Sequence, residues 1–98
     1  MIDGLVAGRL QGDPEERRGK GDTSFVVTRV RAQTSDGEAL IVNVIAFDDE
    51  PSIQLLALRD GDSVALTGGL TPKVWTDKQG NAKPALDMVC LRVLSVGR

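Results

Sequence analysis

The chain has 98 residues, 12 basic and 14 acidic side chains, a formal charge of −2 and no histidine. That length makes one domain with a modest core. The charge excludes a protein that coats nucleic acid by bulk positive charge, while leaving room for a local basic face. Without histidine, the commonest general base and the commonest nitrogen ligand for metals are missing. The single cysteine, Cys90, can form neither an internal disulfide nor a zinc site. It lies in an apolar run, reads as a small core residue, and fits a reducing compartment. Asp3 and Arg9 interrupt the first apolar residues, so no signal peptide is expected, and no run approaches membrane-spanning length. The expectation is a soluble cytoplasmic protein with no cofactor, no metal and no membrane contact.

Residues 2–11, IDGLVAGRLQ, alternate loosely and carry Gly4 and Gly8, the mark of a bulged or strongly coiled barrel strand. Gly12-Asp13-Pro14 is a turn, and EERRGKGD after it reads as a charged loop ending at Asp22, whose Arg17, Arg18 and Lys20 could reach a phosphate backbone although such loops are more often only solvated. Residues 23–33, TSFVVTRVRAQ, are β-branched and aromatic and predict a strand. Period two puts Phe25, Val27, Arg29 and Arg31 on one face, and Val26, Thr28, Val30 and Ala32 on the other. The second face suits a barrel interior. The first places two arginines beside apolar surface. After an Asp36-Gly37 turn, ALIVNVIAF over 39–47 is apolar on both faces, so it is central or covered by a partner.

Asp48-Asp49-Glu50-Pro51-Ser52 opens a helix of two to three turns, with its acids complementing the helix dipole. Consecutive carboxylates at a helix start are far more often such complements than a Mg²⁺ site. Gly61 is a candidate for the helix's C-terminal cap region. The helix is short enough to plug one end of a barrel. A strand over 62–76 follows, with a bend at Gly68-Gly69 and Pro72 holding its far half at a sheet edge. It ends in the turn Asp77-Lys78-Gln79-Gly80-Asn81. The last strand, 85–96, is nearly continuous in apolar residues. Trp75, one of three aromatic residues in the chain, sits two residues from Lys73 and three from Lys78. That setting suits a base-stacking platform, whereas most tryptophans are largely buried. Five strands with one short helix between the third and fourth is the order of an OB-fold Greek-key barrel, with an SH3-like barrel as the competing topology. One all-β domain is expected to span 1–98.

Several motifs add to this reading. Gly8-Arg9-Leu10 with Gly12-Asp13-Pro14-Glu15, then Val44-Ile45-Ala46-Phe47, then Leu58-Arg59-Asp60-Gly61-Asp62-Ser63-Val64 can be set beside Lys73-Val74-Trp75-Thr76-Asp77-Lys78-Gln79-Gly80-Asn81. Together they resemble the bacterial single-stranded DNA-binding protein family over most of the chain, and the run from Trp75 to Gly80 is the most specific part. The resemblance implies an OB-fold that binds single-stranded DNA without catalysis and assembles as a homotetramer or homodimer. Trp75 and Phe47 match family aromatics that stack on bases, and a third stacking position falls on Ile41. A fourth belongs to a long hairpin that here shrinks to Gln33–Glu38. The resemblance implies an acidic C-terminal tail that recruits replication and repair proteins, but the sequence ends at Val96-Gly97-Arg98 without one. These departures weaken the expectation of tight binding and of partner recruitment. They move the resemblance toward a short relative such as the primosomal replication protein B family, which also keeps the barrel and drops the tail, although the tryptophan hairpin favours the first family.

Two stacked rings contribute only about 1–3 kcal/mol per base, so phosphate contacts from Arg29, Arg31, Lys73 and Lys78 are expected to supply much of the rest. Arg9 is a further candidate, its competing role being a surface or subunit-interface pair. Ile41 and Ile45 suit either DNA contact or a protomer interface. An enzyme is poorly supported, because little of an active-site constellation is present. The main alternative to a DNA-protecting protein is a replication-restart adaptor that binds DNA weakly and docks other proteins.

Overall fold

The computed structural model describes residues 1–97; residue 98, on which the expectation about the chain's end partly falls, lies outside them. The elements run β1 (Ile2–Leu10), β2 (Glu15–Arg18), β3 (Ser24–Gln33), β4 (Ala39–Ala46), α1 (Asp49–Leu56), β5 (Ser63–Thr76) and β6 (Ala82–Gly97). The sheet order is β1-β5-β6-β4-β3-β2, and β1 also pairs with β3, so five strands close into a barrel and β2 hangs on its outside. The β4–β6 pairing is parallel and the others are antiparallel. With α1 between β4 and β5, this is the expected OB topology. No helix among the described residues is long and apolar enough to cross a membrane.

Side-chain alternation decides what goes inside. Val26 and Val30 of β3, Val42 and Val44 of β4, Leu66 of β5 and Met88 and Cys90 of β6 are all essentially buried. Val6 and Leu10 of β1 complete the same cluster. Leu55 from α1 and Leu58 just after it also join that cluster, so the helix stoppers one end of the barrel. Burying each such aliphatic side chain stabilises the fold by about 1.5–3 kcal/mol. Thr28 sits among them on the inward face of β3, and its hydroxyl has no hydrogen-bond partner among the described residues.

Closing so small a barrel brings backbones together where a side chain would collide. A Cβ on Gly8 would lie 2.3 Å from the Arg31 carbonyl oxygen, at the β1–β3 seam. A Cβ on Gly68 would lie 1.9 Å from the Val89 carbonyl oxygen, beside the register shift between Thr67 and Gly68. The bend expected at the double glycine is therefore a close approach of β5 to β6 at a bulge.

One expectation changes. Glu15–Arg18, read as part of a solvated loop, is a strand in register with Ser24–Val27 of β3. The reason is non-local. β1 reaches β3 only at Val30–Ala32, leaving the backbone groups at the start of β3 without a partner on that side. The charged segment returns alongside and satisfies them. All four of its side chains stay exposed, so no hydrophobic alternation announced it. The final strand also begins earlier than expected, at Ala82, because the hairpin arm pairs right up to the turn, Thr76 opposite Ala82.

Candidate nucleic-acid interface

Residues paired across a ladder share a face, so the registers map one outer wall of the barrel row by row. One row runs Arg29–Asn43–Asp87–Thr71 across β3, β4, β6 and β5. The next runs Val27–Ile45–Val89–Gly69, with Glu15 of β2 at its edge. On the other side, Arg31 is opposite Ile41, and Lys73 is opposite Ala85. A groove of about 680 Å³ lies over the middle rows, with Gln11, Gly12 and Asp13 of the β1–β2 turn along one rim.

Trp75 stands at one end of this wall, on the arm of β5 that extends beyond β1 and pairs only with β6. The residue is 48% exposed, and Lys83 sits directly across the ladder from it. The arm is held at its tip by Asp77. Its carboxylate accepts the backbone N–H groups of Gln79 and Asn81 at 3.0 and 2.9 Å. The Asp77 N–H donates to the Asn81 carbonyl at 2.9 Å. Lys78 is exposed in that turn.

Phe47, just past β4, is 56% exposed at the opposite end of the wall. Its neighbouring ring is Phe25, with centroids 6.1 Å apart and planes tilted by 51°. Arg17 of β2 lies across the ladder from Phe25. Trp75 is six residues along β5 from Gly69, and Phe47 two residues beyond Ile45 in the other direction. At about 3.3 Å per residue the two aromatic sites stand on the order of 25 Å apart along the strands. They bracket the groove, and Phe47 is not an immediate partner of Trp75.

The cations expected at the site divide into free and engaged ones. Arg29 and Arg31 are exposed on β3 and share the wall face. Lys73 is on that face too, but its ammonium lies 3.2 Å from the Asp87 carboxylate. Arg9 is opposite Arg31, and its guanidinium donates to the Gly61 carbonyl at 3.1 Å, so it also ties β1 to the α1–β5 turn. Ile41 is half-buried on β4, across the ladder from Arg31 on the side away from Arg9. Counting strand positions, with Arg9 and Asp3 of β1 at the borders, the wall carries Arg9, Arg17, Arg29, Arg31, Lys73 and Lys83 against Asp3, Glu15 and Asp87. Of its cations, Arg17 is paired with Glu15 at 3.3 Å. Sequence reading missed Lys83 and Asp87 as members of this surface, put Phe25 on the face of Arg29 without giving it a role, and favoured solvation over a phosphate contact for Arg17. Their positions depend on register, and only the lone alternation of Phe25 with Arg29 pointed that way.

No protein-family model and no curated protein matches the sequence. Solved structures do. The mitochondrial single-stranded DNA-binding protein of S. cerevisiae superposes in two crystal structures with TM-scores of 0.67 and 0.66, at 19% identity. Both alignments cover 95% of this chain and 92% of that one. The small single-stranded DNA-binding protein of Streptomyces coelicolor superposes with a TM-score of 0.68 at 18% identity, covering 98% of this chain and 92% of that one. What these likenesses establish is the fold: the chain is an OB barrel of the kind found in single-stranded DNA-binding proteins, as its motifs led one to expect.

Proposed function

We propose that this protein binds single-stranded DNA without marked sequence preference and shields it during replication, repair or recombination. The observation that carries the reading is the wall itself. Exposed aromatic rings stand at both of its ends, with a groove and a surplus of cations between them. Stacking platforms combined with a positive track are what sequence-tolerant binding of single strands requires. Trp75, Phe47 and Ile41 meet bases in this reading. Arg29, Arg31, Lys78 and Arg9 meet phosphates, and Lys73 does so once released from Asp87. The role is binding, not catalysis.

A second feature bears on assembly. Residues 2–7 of β1 pair with β5 on one side only, and Ile2 and Leu5 are exposed along this strand. An unpaired edge with apolar side chains is a template for another strand, so the protein is a homodimer or homotetramer in solution. Linked grooves would then raise avidity without new contacts.

The test is a titration with oligo-dT, following Trp75 emission over a range of salt. Emission is quenched, and log K falls against log salt by about 0.7 for each phosphate neutralised. Unchanged emission together with salt-independent behaviour at low ionic strength would overturn the reading. The Lys73–Asp87 pair, which withholds a cation from phosphate, favours one alternative: a replication-restart adaptor that binds DNA weakly and docks other proteins. For that protein Trp75→Ala leaves the essential activity intact.

A further inference from the structure

Asp87 is a carboxylate in the middle of a wall on which cations outnumber carboxylates, and it lines the groove with Asp13, Glu15, Arg17 and Arg29. Its Oδ1 accepts a hydrogen bond from Asn43 Nδ2 at 3.3 Å, and its Oδ2 lies 3.2 Å from Lys73 Nζ. The two side chains of the ion pair are 57% and 42% exposed, and pairs this open to solvent contribute little stability. A negative charge here also repels a phosphate backbone. Neither fold stability nor backbone binding explains its presence. Its surroundings point elsewhere. Asn43 fixes the plane of the carboxylate, while Lys73 holds it from one side. A carboxylate accepts about four hydrogen bonds, so each oxygen retains capacity, and Asp87 lines the groove.

We propose that Asp87, oriented by Asn43 and Lys73, is a base-edge acceptor that gives one position in the groove a preference for guanine over thymine. The proposal rests on the single-stranded DNA reading above. In a single strand the Watson–Crick edges are unpaired and open to side chains. Guanine presents two adjacent donors there, N1–H and the exocyclic N2 amine, which match the two oxygens of one carboxylate. Cytosine and adenine present a single amine, the kind of donor that acidic side chains accept in base recognition. Thymine offers only N3–H, flanked by two carbonyl oxygens that the carboxylate repels. Stacking on Trp75 or Phe47 tolerates every base, so a donor-dependent preference separates cleanly from it. Asp87 thus sets a bias on an otherwise indifferent surface, and Lys73 leaves it for the backbone as the base arrives.

Three oligonucleotides of equal length at one salt concentration decide the matter: oligo-dT, a thymidine–guanosine repeat, and the same repeat with inosine for guanosine. Inosine lacks only the exocyclic amine. The full-length protein binds the guanosine repeat about tenfold more tightly than oligo-dT, within the range of a bidentate base contact, and the inosine repeat loses most of that gain. Asp87→Asn abolishes the preference and binds oligo-dT more tightly than the wild type. Equal affinity for guanosine and inosine repeats overturns the proposal, as does a preference that survives in Asp87→Asn. The inosine comparison needs no variant, so it stands even if Asp87→Asn folds poorly. If all three oligonucleotides bind equally, Asp87 alone loses its role. If none binds, the DNA reading falls with it.

Discussion

Trp75 is half exposed on an arm outside the barrel, so truncating it removes a flat surface without opening a cavity. Trp75→Ala lowers affinity for oligo-dT by tenfold or more, in line with about 1–3 kcal/mol per stacked base, and leaves the melting temperature nearly unchanged. A smaller loss, measured by anisotropy of a labelled oligonucleotide, would remove Trp75 from the site. Thr28 gives the opposite kind of prediction. Its hydroxyl is buried without a partner, and such a group costs about 1–3 kcal/mol. Thr28→Val keeps the shape and raises the urea midpoint of unfolding, with DNA affinity unaltered. Cys90 supplies a pH dependence. Burial pushes its thiol up to about 11 from an ordinary value of 9.0. The folded state therefore holds the proton that the unfolded state releases, and this contribution is complete below about pH 9 and lost as pH rises toward 11. Denaturation midpoints followed between those values fall in the wild type and stay flatter in Cys90→Ala.

Among the elements, the bend of β5 carries the tightest constraint. Gly68→Ala forces a Cβ into the backbone of β6, and overpacking of this kind costs about 1–3 kcal/mol. Chemical denaturation measures the loss, and the shift it transmits along β5 also weakens DNA binding at Trp75. How far the elements could be read from the sequence follows from where each takes its instructions. The interior of β3 was legible, because Val26, Thr28 and Val30 alternate within a single strand with Phe25, Val27, Arg29 and Arg31, and the two arginines mark the outward face. So was the arm, since Pro72 and the Asp77–Asn81 turn are local signals. β2 was not legible, because Glu15–Arg18 is a strand only where the unpaired start of β3 meets it. The same holds within the candidate site. Trp75 and Arg29 announced themselves. The Phe25–Phe47 contact and the Lys73–Asp87 pair required the register of strands far apart in sequence.

At the scale of the molecule, charge is sorted rather than absent. The wall takes six cations and three carboxylates, leaving six cations and eleven carboxylates for the rest of the chain. A weakly acidic protein can therefore present a positive surface to a phosphate chain. Arg29→Glu combined with Arg31→Glu flattens the salt dependence as well as weakening binding, whereas the same change at Arg92, off the wall, does neither. Light scattering addresses assembly: Leu5→Lys on the free length of β1 shifts the protein toward monomer if that edge joins copies.

The barrel closes unevenly. β1 is laced to β5 from Ile2 to Arg9, yet it meets β3 at only Gly8, Arg9 and Leu10. A joint of three residue pairs beside one of eight is where a closed sheet first breathes. Amide protons that bridge this joint should exchange with deuterium ahead of those between β1 and β5, while the interior of β4, flanked by strands on both sides, exchanges last. The barrel then behaves as a split ring whose gap is held by a short clasp, with Arg9 anchoring the β1 side of it to the Gly61 carbonyl of the α1–β5 turn. Arg9→Ala should speed exchange at the clasp without moving the global midpoint of unfolding.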